Sequence, residues 1–328
     1  MTIRFNNSGS IVSPVRKKLK VGALVEIALV NNVSDAALQA TERQFTLLLK
    51  RGAGDIPFRL RCFSLPDIKR SPEAAIRIKN QYTNIDDLYR TNIDGLIVTG
   101  AEPSAPSLRE EAYWGALTEI IDWAKANTLS TIWSCLAAHA AVLHLDGIER
   151  QRLSGKCSGI YDCSKVGDNW LTEDLPSSFK ISHSRLNGLD ESDLRARGYE
   201  MLSVSKGAGV DIFAKRQHSQ FIFFQGHPEY EAITLQREYL RDIGRYLSGQ
   251  QPMYPVAPAG YFDAPTIAAL DSFRSRAIAE HDPTLIANLP SLTLEPSVVT
   301  GPTLAAATIF RNWLEYLANR KDRLSLAG

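Results

Sequence analysis

The grouping with the clearest chemical potential is Ser134-Cys135-Leu136-Ala137-Ala138, a cysteine among small residues where an apolar run gives way to a helical pattern. Small neighbours suit a sharp strand-to-helix elbow, whose nucleophile sits in a strained backbone conformation. The helix that follows aims its N-terminal dipole at the sulfur, which favours the thiolate and leaves amide N–H groups for an oxyanion. A lone cysteine in an apolar segment is more often simply buried core. A second grouping shifts that balance: Phe223-Phe224-Gln225-Gly226-His227-Pro228-Glu229-Tyr230 places a histidine and a glutamate two apart, just after an apolar strand. At that spacing a carboxylate can orient the imidazole and fix its tautomer. A histidine before proline is by itself a turn residue more often than a base. Cys135 followed in the chain by His227 and Glu229 is far more specific, and predicts a Cys–His–Glu triad.

The elements that must position this triad can be read from periodicity. Residues 21–32 form an apolar run ending in Asn31-Asn32, as a buried parallel strand does. Residues 35–52 have helical spacing, with Leu38, Phe45, Leu48 and Leu49 on one face, Asp35 as a cap and Gly52 as the stop. Residues 58–65 alternate like a strand, and 95–99 form a short buried strand opening at Gly100-Ala101. A helix is expected over 108–127, then a strand over 130–134 running directly into the helix after Cys135. Later segments, YEMLSVSK, VDIFAK and QFIFFQG, read as antiparallel strands, and residues 234–249 as an amphipathic helix. The expected fold class is α/β, a mostly parallel sheet flanked by helices with antiparallel edge strands. Residues 1–20 read as an arm carrying Arg16, Lys17, Lys18 and Lys20, residues 21–250 as the catalytic domain, and 251–328 as a C-terminal extension with a closing helix.

Composition narrows the function classes. With 328 residues, 37 Lys and Arg against 36 Asp and Glu, and a formal charge of +1, the chain has no electrostatic footprint of a nucleic-acid binder. The uncharged run from Leu129 to Leu145 is shorter than a bilayer span, and no signal peptide is read at the N-terminus. Four cysteines at irregular spacing (Cys62, Cys135, Cys157, Cys163) fit neither a disulfide scaffold nor a zinc knuckle, and reduced thiols in the cytoplasm are expected, with no metal site.

The residues also resemble a known family. GLIVTGA at 95–101, Ala112-Tyr113-Trp114, Gly147-Ile148, His183-Ser184-Arg185, GHPEY at 226–230, Thr234-Leu235, Glu238-Tyr239, Arg241-Asp242 and Asn312-Trp313-Leu314 are similar to homoserine O-succinyltransferases, on a class I glutamine amidotransferase-like fold. The resemblance implies acyl transfer from acyl-CoA, succinyl-CoA or acetyl-CoA, to the hydroxyl of L-homoserine, in methionine biosynthesis and with no bound cofactor. It implies Cys135 as nucleophile, His227 as base, Glu229 as orienter and Arg241 as partner of the acceptor carboxylate. It also implies Ser184, Arg185 and Tyr230 in the same pocket, Lys156 near the acyl group, and Ser104 where the family selects the acyl chain. The partners implied are small molecules, not nucleic acid or membrane, with room for a homodimer.

Three departures bear on substrate more than on chemistry. Residues 33–40 replace a lysine-bearing family segment, His139 stands where the family has glutamine, and the stretch between Phe262 and Asn312 is longer than the family norm. The readings that compete are a glutaminase with the same triad, an acyltransferase using serine or another amino alcohol, and a binding protein on the same fold. A glutaminase would be expected to carry Gly-x-Cys-x-Gly, whereas this chain has Trp133-Ser134-Cys135-Leu136-Ala137.

Overall fold

The structure, a computed structural model, describes residues 4–5, 11–12 and 24–327. Of the expected arm, Arg16, Lys17, Lys18 and Lys20 lie outside the described residues, and Arg4–Phe5 (β1) pairs with Ile11–Val12 (β2) as a short antiparallel ribbon.

The rest of the chain builds on one nine-stranded sheet. In chain order its strands are β3 (Val25–Val30), β4 (Phe58–Phe63), β5 (Gly95–Thr99), β6 (Ser130–Ser134), β7 (Gln151–Lys165), β8 (Ser178–Gly188), β9 (Glu200–Ser205), β10 (Gly209–Arg216) and β11 (Gln220–Phe224). Their order across the sheet is β4-β3-β5-β6-β11-β10-β9-β7-β8. The first five are parallel and the remaining pairings antiparallel. β11 is therefore the pivot of the sheet. It runs parallel to β6 on one side and antiparallel to β10 on the other, so the expectation of an antiparallel strand there holds for one edge only.

β3, β5, β6 and β11 are buried along almost their whole length because both sheet faces are covered. On one face lie α3 (Trp114–Asn127) and α4 (Leu136–Asp146), whose Leu117, Ile121, Ala138 and Val142 pack on Val98, Trp133 and Phe223. On the other lie α1 (Asp35–Ala53) and α8 (Pro296–Ala327), whose Phe45, Leu49, Phe310 and Trp313 pack on Ile27, Ile97 and Ile132. The closing helix is thus part of the main core. Gly95 makes this approach possible: a β-carbon there would sit 2.6 Å from Leu317 and 2.8 Å from Trp313. α6 (Thr234–Leu247) and α7 (Ala264–Glu280) share a third apolar cluster through Leu235, Ile243, Leu270 and Phe273.

Several local expectations are corrected. α1 is preceded by Ser34 rather than capped by Asp35, whose carboxylate instead receives Arg70 at 3.1 Å and the Ser71 amide at 2.6 Å. The same helix passes Gly52 and stops at Gly54, where φ is 54°. The helix expected over 108–127 is a 3-10 turn, Leu108–Glu110, followed by α3. Glu111 separates them because its carboxylate turns back to accept the amides of Ser104 and Ala105 at 2.7 and 2.8 Å. Helices α2 (Pro72–Gln81) and α5 (Glu191–Ala196), and the paired strands β7 and β8, were not expected.

Candidate active site

Register alone brings the reactive groups together. Thr99, Ser134 and Phe224 are aligned partners at the ends of β5, β6 and β11. The segments that follow, opening at Gly100, Cys135 and Gln225, therefore leave the sheet side by side at its carboxyl edge, where α/β sheets place ligands. The Cys135 amide donates to the Phe224 carbonyl at 2.7 Å, which ties the elbow to β11.

Cys135 has φ 52° and ψ −112°, a strained conformation for a residue with a β-carbon, as the elbow reading requires. It caps α4, and the Leu136 and Ala137 amides of the first turn have no earlier helical carbonyl to bond. Gly100 presses against this turn: a β-carbon there would lie 2.5 Å from Leu136 Cβ and 3.1 Å from its amide nitrogen. The two backbones pack so closely that only glycine fits.

His227 is held on both sides. Its amide donates to the Ser182 carbonyl of β8 at 2.7 Å, and its Nδ1 lies 2.8 Å from Glu229 Oε1. Burial alone would lower the imidazole pKa, but the charges of Glu229 and Cys135, with hydrogen bonds to both side chains, hold it well above its ordinary value. The structure thus pairs His227 with Glu229, which is buried behind the ring, and the charge of Cys135 reaches the same imidazole.

A second polar group adjoins the triad. Tyr230 stacks on His227, ring centroids 4.1 Å apart, and its hydroxyl donates to Glu238 Oε1 at 2.6 Å. Glu238 also accepts from the Ser184 hydroxyl, and Lys156 Nζ lies 3.5 Å away. Desolvation would raise the Glu238 pKa, yet Lys156 and the two hydroxyl donors keep it below the usual carboxylate range. Lys156 reaches Asp242 at 2.8 Å, and Arg241 meets the same carboxylate through Nε and Nη2 at 2.9 and 2.8 Å. Lys156 lies in the stretch of β7 whose pairing with β8 is irregular, between Arg152 and Cys157. Of the residues expected here, Ser184, Tyr230, Lys156 and Arg241 converge. Glu238 and Asp242, which bind them together, were not singled out as site residues; their i, i+4 spacing on one face of α6 was the available signal.

Two expected residues lie differently. Arg185 follows Ser184 on β8 and so projects to the opposite face. There it is buried, and its guanidinium donates to the Asn187 and Ala208 carbonyls, which removes it from the Ser184–Glu238 group. Ser104 is exposed, and its hydroxyl donates to Glu111 at 2.9 Å. His139, in the first turn of α4, is buried and makes a 3.0 Å contact with Gln225 Oε1. Gln225 spends its amide N–H on the Val210 carbonyl, so His139 is the donor. Burial lowers its pKa to about 4, which fixes it as neutral.

Cys163, His183 and Asp211 form another Cys–His–acid cluster, their ligand atoms all within 4.8 Å of one another. Their side chains are inaccessible, burial pushes the Cys163 thiol far up, and Ser203 donates to Asp211 at 2.7 Å. It lacks the access a nucleophile needs. A surface cavity of about 710 Å³, lined by Lys165, Asp168, Trp170 and Glu173 among others, likewise contains none of the triad. All four cysteines are free thiols.

An α/β fold with a cysteine on a strained elbow, a histidine beyond the neighbouring strand end and a carboxylate paired with it is the arrangement of an enzyme with a cysteine nucleophile. The chain belongs to the homoserine O-succinyltransferase family, whose sequence profile, described as "Homoserine O-succinyltransferase", matches residues 7–323. It is 53% identical to a homoserine O-succinyltransferase of Rhodopseudomonas palustris, over 97% of this chain and 99% of the relative. Identity to the Bradyrhizobium japonicum enzyme of that name is 52%, over 97% and 100%, and to that of Methylorubrum extorquens 43%, over 96% and 91%. Solved structures that resemble it include a glutamine amidotransferase of Thermotoga maritima, at 12% identity and TM-score 0.48, over 89% of this chain and 98% of that one. One from Methylobacillus flagellatus matches at 14% and 0.48, over 89% and 94%. No helix among the described residues is long and apolar enough to cross a membrane.

Proposed function

We propose that the chain transfers a succinyl group from succinyl-CoA to the hydroxyl of L-homoserine, as a cytoplasmic enzyme of methionine biosynthesis that needs no bound cofactor. The observation that carries the mechanism is the 2.8 Å His227–Glu229 pair at the strand end beside the strained Cys135 elbow, with the imidazole biased toward its charged form. Cys135 Sγ, as thiolate, attacks the thioester carbonyl carbon. The oxyanion forms beside the free amides of the α4 first turn. The C–S bond to CoA breaks, and the His227 imidazolium protonates the departing thiolate. This leaves an S-acyl Cys135 and a neutral imidazole.

In the second half, His227 takes the proton of the acceptor hydroxyl while its oxygen attacks the acyl carbon. Collapse expels the Cys135 thiolate, releases the O-acyl ester and restores the ion pair. Glu229 keeps Nδ1 protonated and stabilises the imidazolium. Arg241 and Glu238 offer opposite charges on one helix face, suited to the carboxylate and ammonium of an amino acid. Ser184, Tyr230 and Lys156 hold that face in place.

The experiment is an assay of purified protein against succinyl-, acetyl- and butyryl-CoA with homoserine and serine, scored for free CoA, with glutamine as a control. Turnover greatest with succinyl-CoA and homoserine supports the reading. Preference for serine reassigns the acceptor, and ammonia release from glutamine without acyl transfer overturns it.

A further inference from the structure

The proposed reaction uses a donor with a second, free carboxylate, and the cations of the site described so far, Lys156 and Arg241, are already paired with Glu238 and Asp242. The neighbourhood of Cys135 contains another. Arg150 ends the segment between α4 and β7, and the following residue, Gln151, pairs with Gly188 of β8. A 3.8 Å ion pair between Arg109 and Glu149 ties this segment to the 3-10 turn beyond the Ser104 loop. The Arg150 side chain is half-buried, and among the described residues its guanidinium has neither a hydrogen bond nor a close ion pair.

Beside it the Tyr113 side chain is 5% exposed, and its hydroxyl is buried without any partner. A buried hydroxyl left unpaired costs about 1–3 kcal/mol, which a polar group reaching it would offset. The adjacent anion, Glu111, is already committed. It accepts the Ser104 and Ala105 amides and the Ser104 hydroxyl at 2.7, 2.8 and 2.9 Å. Glu111 therefore fixes the loop and offers the guanidinium a counter-charge without a contact. The geometry leads from Arg150 to the Cys135 helix: Gln151 pairs with Gly188, and Gln225 accepts both the next amide, that of Leu189, and the ring of His139 in the first turn of α4, each at 3.0 Å. The charges of Glu111, Arg152 and Cys135 act on the guanidinium there.

We infer that Arg150 and the Tyr113 hydroxyl form the recognition point for the free carboxylate of a dicarboxylic acyl group carried on Cys135; the inference rests on the acyl-transfer reading above. The dimensions agree. In a succinyl group the second carboxyl carbon stands three bonds from the thioester carbon, roughly 4 Å when extended. A cation near the sulfur but not bonded to it is where that carboxylate arrives. A guanidinium and a hydroxyl together give a charged, directional pair of donors, which a methyl-ended chain cannot use.

Butyryl-CoA is the matched probe, since it replaces the succinyl carboxylate by a methyl group at the same chain length. The readout is the ratio of kcat/KM for succinyl-CoA over butyryl-CoA in wild type, Arg150→Gln, Arg150→Lys and Tyr113→Phe. In Arg150→Gln the ratio is expected to fall ~10–100-fold, the size of a lost charge-assisted contact. Arg150→Lys, which keeps charge but not the fork, should fall between. Tyr113→Phe should lower the ratio by about 3–10-fold, one neutral hydrogen bond. An unchanged ratio in Arg150→Gln, including one in which both donors lose equally, would assign the guanidinium to the thiolate instead and overturn the inference. A wild type that acylates Cys135 yet prefers butyryl-CoA also overturns it, while acyl transfer stands. No reaction with any acyl-CoA removes the underlying reading itself.

Discussion

The Tyr230 ring lies over the His227 imidazole, 19° from parallel with centroids 4.1 Å apart, while its hydroxyl is held by Glu238 at 2.6 Å. One side chain thus connects His227 to the helix that carries Glu238 and Arg241. Tyr230→Phe keeps the stack and deletes the hydrogen bond, so kcat should fall by about 3–10-fold. Tyr230→Ala also frees the imidazole and should cost at least tenfold more. Equal losses in steady-state kinetics would mean that stacking contributes nothing.

The elevated His227 pKa predicts a change during the cycle. Burial opposes the charged ring, and the charges of Glu229 and Cys135 overcome it. Acylation of Cys135 would remove its share of this effect and lower the imidazole pKa, while Glu229 continues to raise it. The His227 pKa, followed by imidazole NMR shifts against pH, should exceed the ordinary value near 6.5 in the free protein and drop in Cys135→Ala. The same value in both would break the coupling. Because the folded pKa is raised, the stability from this pairing is complete below about pH 6.5 and is lost as pH climbs through the folded value.

Arg241→Lys should raise the acceptor KM by about tenfold and leave the acyl-CoA KM unmoved. An ammonium cannot reproduce a fork that already spends two N–H groups on Asp242. An unchanged acceptor KM would place Arg241 outside the site.

Ser104→Glu would set a second carboxylate against Glu111, which now accepts the Ser104 hydroxyl. The ratio of kcat/KM for succinyl-CoA over acetyl-CoA should exceed one in wild type and invert in the variant, since like charge opposes the succinyl carboxylate. A ratio indifferent to the change would remove Ser104 from acyl selection.

The site was legible where chemistry and secondary structure share a signal. Cys135 and His227 each follow an apolar strand, and the aligned ends of β6 and β11 bring those strands together. β7 was invisible because its sequence, QRLSGKCSGIYDCSK, mixes polar and small residues along a half-exposed, irregular strand. Without β7 and β8 the alternation of Ser184 and Arg185 could not be seen, and both were assigned to one pocket. Glu111 and Arg150 escaped for another reason: their meaning comes from a loop folding back and from a missing partner, and neither leaves a periodic trace.

If the acyl group passes through Cys135, the protein must carry it as an adduct before the acceptor arrives. Intact-mass measurement of the protein mixed with succinyl-CoA, without acceptor, tests this directly. One succinyl adduct should form on wild type, map to Cys135, disappear on adding homoserine and be absent in Cys135→Ala. An active Cys135→Ala protein, or an adduct that homoserine does not discharge, would rule out transfer through Cys135.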